Sequence, residues 1–336
     1  MKIQKSQKKK ILKKIFIKIC RFFGFEIIDQ SSFSIPTKDS FLNENLSSVG
    51  KKSITLPMGE VKISRKINSI HIIFRFCTNI NMLTQSKERI FSENKNQYTF
   101  RSLNSILKST QYAKNDYSNI PFKITLIDSG STSEDLNKIN EILKNFNIKN
   151  NYVSLDKNTF SSLVDNKASK TQQSNMANIQ KSFEIARDDN YDLYYFVEDD
   201  YLHEIYSISE MLFTYEKISS QARDEIIICP TDYPYLYNKS DNTKIFLGHR
   251  YHWRVVEETL VTFLTSKKII LNYFDLLMSM TKQEHLPFEK PLHDLYKEKY
   301  CISPIPSVAV HYTNINSIYG LSPFKDWKKL WEENKI

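Results

Sequence analysis

The chain has 336 residues, 40% apolar, 13% aromatic and 25% charged, which is enough to bury a sizeable core and excludes a disordered tail. Its formal charge of +9 arises within residues 1–21, where eight lysines and Arg21 stand without an acid, so the remainder balances at 38 basic against 38 acidic residues. A neutral body excludes a surface that tracks a nucleic-acid backbone. The six glycines never fall at the spacing of a dinucleotide fingerprint or a phosphate loop. The four cysteines form no CxxC pair, and the longest apolar run, Leu193 to Val197, is far short of the roughly 20 residues a membrane span needs.

Residues 1–28 read as a basic amphipathic helix. Ile11, Leu12, Ile15, Phe16, Ile19, Phe22 and Phe23 share one face, and Lys9, Lys10, Lys13, Lys14, Lys18 and Arg21 flank or oppose it. The pattern suits an anionic membrane surface; a helix packed on the body or a targeting segment are the alternatives. Residues 29–68, rich in Ser, Asn and Lys, read as a linker that wraps the body or stays mobile.

From residue 69 strands and helices alternate. His71 to Cys77, Lys123 to Asp128, Asn151 to Asp156 and Asp192 to Val197 are expected strands. Helices are expected around Arg101 to Ser109, after Ser131, where Ser131 and Glu134 have capping-box spacing, and from Gln172 to Asp189. Such alternation predicts parallel βαβ units, with ligands bound beyond the carboxyl ends of the strands. Those ends carry Arg75 and Thr78, Asp128 to Ser131, Asp156, and the triplet Glu198, Asp199 and Asp200. Three adjacent carboxylates repel one another, and Mg²⁺ or Mn²⁺ together with a substrate diphosphate would relieve them; capping of the following helix is the simpler alternative.

Read together, IDSGSTSED, the helix with Asn175 and Asn178, and YFVEDDY resemble the nucleotide-sugar half of GT-A glycosyltransferases, most like glycosyltransferase family two. The resemblance covers roughly residues 69–312. It implies an α/β, Rossmann-like, mostly parallel sheet with helices on both faces, divided into a nucleotide-sugar-binding half (69–230) and an acceptor-binding half with a C-terminal helix (231–336). Asp128 matches the first acid of the turn that contacts the base, and Ser129 replaces the second. By position Glu198 faces the ribose, Asp200 the metal, and Asp199 lies between them in a DXD-like motif.

Further along, His249, Arg250, His252, Trp253 and Arg254 combine guanidinium groups with an indole, a mixture suited to a diphosphate and a sugar ring; a hairpin with one buried Trp is the alternative. EKPLHDLYKEKYCISPIPSVAVHY resembles the family's acceptor helix, strand and terminal histidine. Glu289 and Asp294 rank nearly equal as the base, ahead of Glu257 and Glu258. His311 is either a metal ligand or a hydrogen-bonded core histidine. Trp327, Leu330 and Trp331 share a face of a packing helix.

The expected function is a metal-dependent, hexosyltransferase-type enzyme carrying a sugar from a nucleotide-diphosphate donor, UDP favoured, to a saccharide or lipid-linked hydroxyl acceptor. The first helix would hold it at the inner face of a bacterial membrane, in surface polysaccharide or glycolipid assembly. A sugar nucleotidyltransferase and a non-catalytic membrane-surface module are the alternatives. TNINMLTQSKERIF, after the first strand, lacks the glycine-rich loop that the nucleotidyltransferase would want.

Overall fold

The computed structural model describes residues 12, 15–25, 63–79, 89–155, 170–238, 240, 242–282, 288–314 and 317–336. Contacts divide the chain into two units, Met1–Val61 and Lys62–Ile336. In the first, residues 15–22 are helical, and most of the expected linker lies outside the described residues.

In the second unit, strands β1 (Ile70–Phe76), β2 (Phe122–Asp128), β3 (Lys149–Ser154) and β4 (Leu193–Glu198) alternate with helices α1 (Lys95–Asp116), α2 (Ser133–Lys144) and α3 (Lys170–Asp188). They pair in parallel in the order β3-β2-β1-β4. After them come β5 (Tyr201–His203), α4 (Ser207–Ala222), β6 (Ile227–Ile228), β7 (Ile245–Leu247), β8 (His252–Val256), β9 (Phe263–Ser266) and α5 (Lys267–Asn272). The last elements are α6 (Phe274–Ser279), α7 (Lys290–Tyr296), β10 (Cys301–Ile305), β11 (Ala309–His311) and α8 (Trp327–Glu333). The described strands complete a nine-stranded sheet, β3-β2-β1-β4-β9-β6-β10-β8-β7, in which only β9 and β8 run against the others. The sheet is thus mostly parallel, as the alternation predicts. Strand β9, from the acceptor half read in sequence, lies between β4 and β6 of the other half.

Helices cover both faces because β1 and β4 bury apolar side chains on each, with Ile73 of β1 sharing its face with His71 and Arg75. Ile70, Ile72, Phe74 and Phe76 share a core with Leu103 and Ile106 of α1, Ile139 of α2 and Met211 of α4, whereas Ile73 joins Phe183 of α3, Ile270 of α5 and Leu292 of α7. Leu193, Tyr195 and Val197 face the first core, Tyr194 and Phe196 the second. A side-chain period of two on a doubly covered strand gives this division. Each fully buried Phe or Ile contributes about 1.5–3 kcal/mol, so truncating Phe74 to Ala would cost about 3–5 kcal/mol.

One local expectation changes. Helix α2 is capped by Thr132, whose side chain accepts from the Asp135 amide at 3.1 Å. Ser131 instead accepts from the Thr78 amide at 3.0 Å, tying the β2 turn to the end of β1. The described end of the linker is held fast: the amides of Ser64 and Arg65 donate to Ser220 Oγ, and Arg65 forks onto Asp192 at 2.6 and 2.9 Å.

Candidate active site

Helix α1 carries a polar stripe, Thr99, Ser102, Ser105 and Ser109, all buried. Hydroxyls at near-helical spacing serve the chain that leaves β4. Thr99 Oγ1 donates to Asp199 at 2.6 Å and Ser102 Oγ to the Tyr201 carbonyl at 2.7 Å, while the amides of His203 and Ile208 donate to Ser105 and Ser109. The stripe fixes the segment that turns away after the acids and becomes β5.

Strand β5 pairs antiparallel with β11, placing Tyr201 opposite His311, and the Tyr312 amide donates to the Asp200 carbonyl at 2.8 Å. This short ladder brings Asp200 and His311 together across the chain, with His311 Nε2 3.4 Å from Asp200 Oδ2. The imidazole stacks on Tyr201, 4.5 Å between ring centres. A third core lies behind the ladder, where Leu202, Val310 and Tyr312 pack on Leu330 and Trp331 of α8. Trp327 packs against the same cluster, so the terminal helix buttresses the ladder.

Each acid of the triplet has its own partner within the chain. Glu198 receives Arg75 Nη2 at 3.3 Å and the Thr262 hydroxyl at 3.2 Å. Asp199 is paired with Lys95 and Thr99, turned back toward α1. Asp200 faces His311. Burial would raise the Asp200 carboxyl, yet His311, then Lys95 and Arg89, hold it well below the carboxylate range. Burial likewise works against a charged His311, but Asp200 and Glu198 raise it. Glu198 is itself raised, by burial and by Asp200, against the pull of Arg75.

The two ring nitrogens of His311 have different duties. Nδ1 lies 2.7 Å from the Tyr319 carbonyl, which can only accept, so Nδ1 carries a hydrogen. In the neutral ring Nε2 then presents a lone pair toward the Asp200 carboxylate, and two acceptors face each other unless a proton or a cation sits between them. A carboxylate oxygen beside an imidazole nitrogen suits Mn²⁺ better than Mg²⁺, which prefers oxygen ligands alone, with the remaining ligands from water and phosphate. Among the described residues no three His, Cys, Asp or Glu side chains gather to hold an ion.

At the end of β2, Asp128 is 2% exposed and fully engaged. One oxygen accepts from the amides of Gly130 and Ser131, the other from the Tyr152 hydroxyl at 2.9 Å. Its carboxylate closes the turn, and Gly130 supplies the φ of 117° that closure requires. Ser129 Oγ accepts from Asn178 Nδ2 at 2.7 Å, joining the turn to α3. Against this saturated turn stand groups with nothing to bond: Arg75 Nε and Nη1, Thr78 Oγ1, Asn178 Oδ1, and both terminal nitrogens of Arg89, whose guanidinium covers the Tyr98 ring at 4.8 Å. They make up six of the eleven unpartnered buried side-chain atoms among the described residues, a concentration that marks where a polar ligand would find partners.

The two base candidates separate cleanly. Glu289, at the start of α7, is 7% exposed. Burial, reinforced by Glu198 nearby, pushes its carboxyl up to about 7 although Arg75 works against the shift. Asp294 sits between Lys290 at 3.3 Å and Lys297 at 2.6 Å, and these partners lower it. Glu289 therefore joins the Arg75–Glu198 group and Asp294 does not.

The β7–β8 hairpin lies apart. Strand β8 is four places from β4 in the sheet, about 19 Å at strand spacing. Trp253 is fully buried, with Nε1 donating to Glu210 at 3.3 Å, and Glu210 also accepts from the Arg250 amide. A sugar cannot stack on that ring, which corrects the aromatic part of the expectation. Gly248 is required beside it, since a Cβ there would come within 2.2 Å of the indole nitrogen. Arg254 pairs with Asp232 under the Tyr237 ring, and Arg250 is exposed in the turn.

Lys95, Thr99 and Arg89 are the site residues that local sequence reading misses. The hydroxyl stripe was visible as a period; the cations carry no motif.

No protein-family model and no curated protein matches the chain. Among solved structures it is similar to a crystal structure of a TarS fragment from S. aureus, with 10% identity over 70% of this chain and 57% of that one, TM-score 0.38. It is similar also to the galactosyltransferase LgtC in complex with donor and acceptor sugar analogues, 10% identical over 79% of this chain and 93% of that one, TM-score 0.37. A third is GalNAc-T7 with UDP, GalNAc and Mn²⁺, 10% identical over 75% of this chain and 44% of that one, TM-score 0.40. The chain spans 34% to 57% of the TarS and WbbM structures it matches.

Proposed function

We propose that the chain is a metal-dependent glycosyltransferase of GT-A type, akin to family two, that moves a hexosyl group from a nucleoside-diphosphate donor, UDP favoured, to a hydroxyl of a saccharide or lipid-linked acceptor. Surface polysaccharide or glycolipid assembly in a bacterium is the setting this acceptor class fits. The observation that carries the proposal is the convergence of the Asp200–His311 pair with buried Glu289 and the unpartnered donors of Arg75 at one sheet edge.

In this reading Arg75, Thr78 and Asn178 supply the bonds that a nucleoside takes up, and Glu198 orients Arg75 while presenting an oxygen to ribose. Asp128, Ser129 and Asp199 position rather than touch: they hold the β2 turn and the β4 exit in place through Tyr152, Asn178, Lys95 and Thr99. Asp200 and His311 Nε2 would hold Mn²⁺ or Mg²⁺, which when bound offsets negative charge on the departing diphosphate. Lys95 and Arg89, both close enough to depress the Asp200 carboxyl, add fixed positive charge on the same side. Glu289, titrating near 7, accepts the proton of the attacking hydroxyl at its carboxylate. Arg250 and Arg254 belong to the acceptor side in this scheme, away from the donor.

Calorimetry of the full chain with UDP tests the reading. Binding should require Mn²⁺ and should be lost in Asp200→Asn and weakened in Arg75→Ala. UDP affinity that ignores both Mn²⁺ and Asp200→Asn contradicts it.

A further inference from the structure

The first unit presents an apolar face that its described residues leave bare. Leu12, Ile15, Phe16, Ile19, Phe22 and Phe23 fall within an arc of about 120° on a helix of 3.6 residues per turn. Their exposure runs from 49% at Ile19 to 85% at Phe22. Buried apolar stripes are what helices of this pattern normally have, so six bare members mark a contact surface.

The helix is also stopped deliberately. Gly24 adopts φ of 83°, its amide donates to the Arg21 carbonyl at 3.0 Å, and the Phe25 amide donates to the Cys20 carbonyl at 2.9 Å. This pair of bonds is a Schellman closure, which needs a residue tolerant of the left-handed region. A side chain at Gly24 would meet nothing within 4 Å, so the glycine serves the backbone turn and not packing. The closure leaves Phe22, Phe23 and Phe25 together at the helix end, all exposed, with Phe22 and Phe23 edge to face at 5.4 Å.

We propose that this segment is a foot that seats the protein on an anionic lipid surface, lying in the plane of the interface with the phenylalanines inserted. Charge selects this occupant. Lys18 and Arg21 border or oppose the apolar arc, residues 1–21 hold nine basic side chains and no acid, and the remaining chain is balanced. A groove on a protein partner would need only the apolar stripe, whereas a sheet of anionic headgroups uses both the stripe and the unbroken positive flank. No described helix is long and apolar enough to cross a bilayer. The proposal stands apart from the glycosyl-transfer reading, and its test reads no nucleotide.

Sedimentation of the full chain with vesicles tests it, using phosphatidylcholine alone and phosphatidylcholine with a quarter phosphatidylglycerol. The chain should pellet with the anionic vesicles at about 0.1 M salt and return to solution on neutral vesicles or at about 1 M salt. Replacing Lys13, Lys14 and Lys18 by Gln should weaken partitioning roughly a hundredfold. Phe16, Phe22 and Phe23 replaced by Ser should abolish it, while the circular dichroism of the body stays unchanged. Equal binding to neutral vesicles, undiminished binding of either triple variant, or a wild-type chain that stays in solution with anionic vesicles overturns the proposal.

Discussion

At the amino edge of the main sheet the described charges are matched within the protein, whereas at the carboxyl edge buried groups are left over. Arg65 spans Asp192 and Glu225, Glu225 also accepts the Tyr215 hydroxyl, and Lys123 meets Asp189 beside His71, which burial and Lys123 lower to about 4 and so keep neutral. Across the sheet, Arg75 bonds weakly through one nitrogen while its two others, Thr78 Oγ1, Asn178 Oδ1 and the terminal nitrogens of Arg89 have no hydrogen-bond partner. Leaving a buried polar group unsatisfied costs about 1–3 kcal/mol each. The charges of one edge are met by its own residues, and the other retains that cost where the proposed function places a ligand.

The sharpest way to break this contrast is Glu289→Gln. Loss of the base should reduce turnover about 10²–10⁴-fold, read in a donor-consumption assay. Stability should move the other way. A carboxyl raised from 4.5 to about 7 binds its proton more tightly in the folded state, so wild-type stability falls as pH rises through that window. The Gln variant should gain up to about 3 kcal/mol at pH above 7 and nothing below the unfolded value, measured by denaturant melts. Wild-type turnover should climb with a limb near pH 7.

Arg65→Ala attacks the closed edge. It strands two partly buried carboxylates and should cost about 2–4 kcal/mol with turnover unchanged, seen by pairing a melt with an activity assay. Thr99→Val removes one support of Asp199 and should cost about 1–2 kcal/mol, with a small loss of nucleotide affinity in calorimetry. Asp294→Asn should change turnover less than about twofold, because a half-buried surface acid between two lysines contributes little.

The strand cores, their alternation with helices and the carboxyl-edge location were legible because apolar runs such as Leu193 to Val197 admit few other readings. Asp200, His311 and Glu289 were reachable through the family pattern. The choice between Glu289 and Asp294 was not, since burial and the lysines at 290 and 297 act in space. The insertion of β9 between β4 and β6 left no trace in composition, because β6 is a two-residue strand whose register depends on distant partners. HRYHWR looks like a wet, cationic surface, yet Glu210 on α4 draws the indole fully inside. Ser131 and Thr132 both suit a cap, and the Thr78 amide takes Ser131 away.

The most direct test is a crystal soaked with Mn²⁺ and UDP and examined by anomalous diffraction. The metal should lie between an Asp200 oxygen and His311 Nε2, with the uridine lodged among Arg75, Thr78 and Asn178. Metal and nucleotide bound elsewhere, with Asp200 still facing His311 alone, would contradict it.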